Sequence, residues 1–398
     1  MLLVGSVWVS VTISLALSTG NNNKKSQTPM TKKKRQLPET LLVGYTTHCS
    51  KKVQPAVRQG VNVLIWAFAE FEKSTSGIKC VPKFDLWCAQ QMIEELDAEG
   101  FADTVHLVSF GGWNGPHFPN IDSNKNSNAK DHALELYESW KSVFGSHFHG
   151  LDWDFEGHDN LESPTNVFSV DCLETVGEFS KLANQDGYIV GMAPPQSYLD
   201  IESRQFSRRV DWRDSTRGWH DDFQYFGRNV YAYWLSKFGH SIDFVSVQFY
   251  ESYSRAGLEV FHNKVPPQVY LENYVRDLVT NRQEGFYVDF GDDDPSLQYP
   301  NQWVSFPLHK LVWGFANSWG FNDDEKDCYF DPPTHIAVAY ESLKKVGHAP
   351  RGFMFWVMYV MKTTNPSYVC WSLARQIHTL TNRFTFLLSI TFLLNQIF

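Results

Sequence analysis

The chain is predicted to fold as one α/β domain, a (β/α)8 barrel over residues 40–382. Three observations predict it: eight short β-rich runs, amphipathic helical patterns in the gaps between them, and no internal repeat to shorten the series. A doubly wound open sheet is the competing architecture and stays open on pattern alone.

The runs are LLVGY (41–45), VNVLIWAFA (61–69), TVHLVSF (104–110) and HGLDWDF (149–155), followed by YIVGMA (188–193), IDFVSVQFY (242–250), KLVWGFA (310–316) and GFMFWV (352–357). Runs this apolar suit strands buried on both faces, as in a parallel sheet covered by helices. Helical patterns lie between. FDLWCAQQMIEELDAEG (84–100) puts Leu86, Met92, Ile93 and Leu96 near one stripe and offers Gly100 as a stop. HALELYESWKSVFG (132–145) behaves alike, PPQVYLENYVRDLV (266–279) opens on prolines, and THIAVAYESLKKVG (334–347) closes at Gly347. A barrel carries its chemistry at the C-terminal ends of its strands. The aromatic- and acid-rich segment 283–308 is expected to shape one wall of that cleft.

The formal charge of −9, with the basic residues concentrated near the start, excludes a nucleic-acid face on the body of the chain. The 14 Trp and 17 Tyr suit a sugar cleft, where ring faces pack on pyranose C–H groups, but the same aromatics equally build a core. Six cysteines without a C-x-x-C pair give no zinc knuckle, and disulfides are expected only if the chain is exported.

Residues 1–18 read as a cleaved secretion signal, with an uncleaved signal anchor as the rival. Residues 19–39 read as a polar linker containing the basic run Lys32–Arg35, and 383–398 as an apolar tail. A secreted monomer is expected, with membrane attachment through either terminus left open.

The fourth run carries the chemistry. Side chains alternate along a strand, so Asp152, Asp154 and Glu156 share the face toward the barrel axis, each Cα about 6.7 Å from the next. Trp153 and Phe155 take the opposite face. Stacked carboxylates raise one another's pKa, and Glu156, nearest the open end, is the natural general acid. Asp154 is expected to hold a proton with Asp152. A D-x-D-x-E string arises by chance in about one chain in ten of this length, so the string alone is only suggestive.

With its surroundings, the string resembles the D-G-x-D-x-D-x-E motif of glycoside hydrolase family 18, the chitinases and their relatives. The match runs from Gly150 to Glu156. His149 stands where the pattern has its first Asp, the position expected to lie deepest. Ser109-Phe110-Gly111-Gly112-Trp113 looks like the family's S-x-G-G motif. Gln248-Phe249-Tyr250 is similar to the sixth-strand motif of the plant and fungal class, with Glu251 where Asn or Asp is usual. Met192-Ala193-Pro194 matches the fifth-strand end and Trp356 the eighth-strand Trp that floors the sugar site. Tyr45 and Phe68 fall at the ends of the first two strands.

The resemblance implies retaining hydrolysis of chitin or another N-acetylglucosamine glycan, with the substrate's own acetamido group as nucleophile and no metal or organic cofactor. It implies Glu156, Asp154, Asp152 and Tyr250 as the catalytic set. Trp356, Gln248, Met192, Tyr45, Phe68, Trp113, Gly111, Gly112 and Glu251 would line the sugar site. Two other readings stay open: a sugar-binding relative without activity, and an endo-β-N-acetylglucosaminidase acting on N-glycans.

Overall fold

A computed structural model describes residues 36–357, apart from 119–127, 211–227, 317–329 and the shorter stretches 52, 76, 252–253, 280–282, 292–296 and 331–334. The secretion signal, the Lys32–Arg35 run and the apolar tail lie outside the described residues, as do Cys328 and Cys370.

The elements are β1 (Leu41–Thr46), α1 (Val53–Arg58), β2 (Val63–Ser74), β3 (Gly77–Pro82), α2 (Leu86–Leu96), β4 (Val105–Gly112), α3 (Ala129–Phe144), β5 (Gly150–Phe155) and α4 (Val170–Gln185). Then come β6 (Ile189–Met192), α5 (Ala232–Phe238), β7 (Phe244–Gln248), α6 (Pro267–Leu278), β8 (Gly285–Val288), β9 (Gln302–Ser305), β10 (Leu311–Ala316), α7 (Ala337–Lys345) and β11 (Gly352–Trp356). Parallel pairing runs β1-β11-β10-β7-β6-β5-β4-β2, and β1 pairs with β2 to close the ring. These eight strands are the eight predicted runs, and the fold is a (β/α)8 barrel.

Three helices begin where a side chain satisfies open N–H groups of the first turn. Asp85 caps α2 by accepting from Cys88 N, Asn128 caps α3 through Lys130 N and Asp131 N, and Ser169 caps α4 through Cys172 N. The backbone turns at Gly100 and Gly347, both at positive φ, as the sequence suggested.

The strand alternation builds two cores. Leu41, Val43, Val63, Ile65, Leu107, Ile189 and Met354 fill the barrel interior. Leu151, Trp153 and Phe155 belong instead to the larger core between strands and helices. Trp153 packs on Phe110, Phe179 and Phe118 at centroid distances of 5.5, 5.1 and 5.6 Å, and its Nε1–H donates to Ser180 Oγ at 2.8 Å. Burial of a ring this size contributes about 3 kcal/mol, which offsets part of the cost of the carboxylates on the other face.

One expectation fails on this alternation. His149 does not lie beneath the carboxylates. It precedes Gly150, which is in register with Leu107 of the barrel interior, so His149 falls on the opposite face beside His106. There its Nδ1 accepts from His106 N at 2.9 Å. Within the segment 283–308, β8 and β9 pair as an antiparallel hairpin beside α5, with Phe286, Val288 and Val304 buried.

Cys49 and Cys88 form a disulfide that ties the loop after β1 to the start of α2, while Cys80 and Cys172 are free and buried. No helix of the described residues is long and apolar enough to cross a membrane.

Candidate active site

The site grows from the C-terminal ends of β1, β4, β5, β7 and β11. Asp152 Oδ2 accepts from Tyr45 O–H at 2.6 Å and from Ser109 Oγ–H at 2.9 Å. These two donors stabilise its charge, but burial dominates and pushes its pKa up to about 6. One step outward, Asp154 Oδ1 accepts from Gln248 Nε2 at 2.7 Å, and the same Nε2 reaches Ala193 O at 2.7 Å. Asp154 also hydrogen-bonds Glu156. The aspartate thus shares its proton with the carboxylate above it, in place of the expected partner below.

Burial, followed by the charges of Glu156 and Asp152, holds Asp154 well above the usual carboxylate range. Glu156 is pushed up to about 8, by burial first and by the Glu251 charge second, against hydrogen bonds from Gln248 and Asp154. The upper pair therefore retains a proton at neutral pH, which is what a general acid requires. Tyr250 is held well above its ordinary value by burial and then by the Asp154 charge, so its phenol remains a donor.

The backbone carrying Glu156 is fixed from three sides. His117 Nε2–H donates to Glu156 O at 2.9 Å, and burial pushes the imidazole down to about 4, so it stays neutral. Tyr231 O–H donates to Phe155 O at 2.9 Å, and Tyr198 OH accepts from Gly157 N at 3.1 Å. No sequence pattern marks His117, Tyr198 and Tyr231, because each reaches the strand from a distant segment.

Trp356 is the last residue of β11. Its ring meets Tyr45 edge-on at 5.4 Å and Phe68 at 5.8 Å. Phe68 lies so close to Gly112 that a Cβ there would stand 2.5 Å from Cζ. Trp113 sits at the rim, 45% exposed, its Nε1–H donating to Asp159 Oδ1 at 3.2 Å. Glu251 accepts from Ser197 N and Ser197 Oγ at 3.0 and 2.8 Å, which anchors it to the turn after β6. Met192 is the one predicted lining residue that the fold turns away. It is in register with Trp153 and packs in the outer core, and Ala193 faces inward in its place.

Among the described residues no group of three or more His, Cys, Asp or Glu has the geometry to hold a metal ion.

No family profile and no curated protein matches this chain. Solved structures similar to it include a GH18 chitinase from Pseudoalteromonas aurantia, at 16% identity and TM-score 0.44, covering 79% of this chain and 93% of that one. A fungal endo-β-N-acetylglucosaminidase of glycosyl hydrolase family 18 is 15% identical with TM-score 0.48, covering 85% and 96%. The xylanase and α-amylase inhibitor protein XAIP-II from Scadoxus multiflorus is 13% identical with TM-score 0.46, covering 85% and 98%. At such low identities and TM-scores none of the three bears on function, and the barrel rests on its own strand pairing.

Proposed function

We propose that the chain is a retaining glycosidase of the family 18 type that cleaves β-1,4 N-acetylglucosamine linkages in chitin or chito-oligosaccharides. What carries this reading is the stack Asp152–Asp154–Glu156 with Gln248 beside it and a proton held on the upper pair. Glu156 protonates the glycosidic oxygen and later takes a proton from water. Asp154 accepts from the acetamido N–H, which stabilises the positive ring formed when the acetamido oxygen attacks the anomeric carbon. Tyr250 donates to that oxygen, Trp356 stacks beneath the sugar, and Asp152 steadies Asp154 from below.

The protein is also proposed to be exported. The Cys49–Cys88 disulfide supports this, since such bonds persist in oxidising compartments.

The test is hydrolysis of chito-oligosaccharides by the full chain, with the product anomer followed by NMR. Initial release of the β-anomer is expected. The α-anomer first would overturn the substrate-assisted scheme. Binding without turnover would make the protein a lectin, and turnover of N-glycans alone would make it an endo-N-acetylglucosaminidase.

A pH profile follows from the same groups. Because Glu156 acts protonated, kcat/KM is expected to fall as pH rises through about 8. Glu251→Gln removes a negative charge beside it, so the alkaline limb moves to lower pH. An unmoved limb would mean that the Glu251 charge does not reach the acid.

A further inference from the structure

The β8–β9 hairpin has one buried face and one that faces water. Phe286, Val288 and Val304 fill the first, and a hairpin of this kind ordinarily carries polar residues on the second. Here the second carries Tyr287 and Trp303, 38% and 40% exposed. The two are in direct register, so their Cβ atoms stand about 5 Å apart on the same face of the hairpin.

The surface is built, not incidental. The Trp303 indole lies against Gly285, where a Cβ would stand 2.1 Å from Val304 O, 2.7 Å from Nε1 and 3.1 Å from Cε2. The Arg204 guanidinium sits 4.5 Å over the Tyr287 ring. Asp289 holds it there through Nε at 3.1 Å and Nη2 at 3.0 Å. Beneath, Phe290 packs on Phe206 and Tyr299 at 5.1 and 5.0 Å, and Asp289 N bonds Arg204 O at 2.8 Å. The rings are therefore ordered before any ligand arrives.

We propose that Tyr287, Trp303 and Arg204 form a second carbohydrate-binding platform, separate from the carboxylate site, that takes the faces of an uncharged pyranose polymer. Aromatic faces pack on the C–H faces of sugars, which are themselves neutral. The charge pattern matches that ligand, because the Arg204 cation is cancelled by Asp289 and the patch offers little to nucleic acid or an acidic peptide. The flank position suits an extended or insoluble polymer lying along the barrel wall. Naming the polymer as chitin rests on the proposed function.

The test is a binding isotherm on insoluble chitin with the full chain carrying Glu156→Gln, which stops cleavage. Tyr287→Ala and Trp303→Ala, each added to that background, are expected to weaken binding about tenfold, and Trp303→Phe to recover most of the loss. Melting temperatures within a few degrees of the parent separate a lost platform from a lost fold, and Tyr287→Ala leaves the Trp303–Gly285 contact in place. Binding unchanged in both alanine variants overturns the proposal, as does a parent that does not bind the polymer. A Trp303-dependent dimer in sedimentation, without polymer binding, assigns the patch to a second copy and also overturns it. A chain that binds chitin through Trp303 but never cleaves it would retain the platform and sink only the hydrolase reading.

Discussion

Glu156→Gln is expected to reduce turnover of chito-oligosaccharides between about 10²- and 10⁴-fold while leaving the fold intact. Glutamine keeps the shape of the side chain and its contacts with Gln248 and Asp154, but it has no proton to give the leaving group. Stability should move the other way. The folded-state pKa of about 8 lies above the ordinary value of 4.5, so the folded chain binds more protons than the unfolded one between those limits. Wild-type stability therefore falls as pH rises through that window, and the variant escapes this fall. Measured together, turnover should collapse while the melting temperature at pH 8 to 9 equals or exceeds that of the wild type. Turnover within tenfold of wild type would remove Glu156 from the mechanism.

Gly111→Ala is expected to cost about 3 kcal/mol or more, with the loss of any activity. Gly111 is paired with Asp154 across β4 and β5 at φ +103°, and a Cβ there would stand 2.4 Å from Asp154 O and 2.7 Å from its carbonyl carbon. Those are backbone atoms of the strand bearing the acid, so relief requires moving the carboxylates. Gly100→Ala provides the comparison. Its φ is +94°, but nothing lies within 4 Å, so only the conformational strain of about 1–2 kcal/mol applies. Urea unfolding of both variants decides the matter: if Gly111→Ala is no worse than Gly100→Ala, the close approach to Asp154 is not limiting.

The legible part of this chain was what depends on local periodicity. All eight barrel strands and the shared face of Asp152, Asp154 and Glu156 follow from apolar runs and a period of two. The same parity, applied further, would have placed His149 with Trp153 on the helix side. Met192 needed cross-strand register as well, since its partner Trp153 decides its face and motif position does not. The β8–β9 hairpin was hidden because its strands are short and lie far apart in the sequence, without the two-residue spacing that marks a tight hairpin. Spacing could not pair Cys49 with Cys88, and His117, Tyr198 and Tyr231 reach the acid only through tertiary folding.

The closure of the ring between β1 and β11 has a consequence for synthesis. Leu41 pairs with Gly352 and Gly44 with Phe355, so the first strand made waits for the last. Until then β1 and β10 each present an unpaired edge, the kind of template that invites association between nascent chains. Trp356 rides on that final strand, so its contacts with Tyr45 and Phe68 form only with the segment that seals the barrel. Folding intermediates that have already gathered Asp152, Asp154 and Glu156 therefore hold the carboxylates without Trp356, and the site is completed only at the moment the chain stops being adhesive.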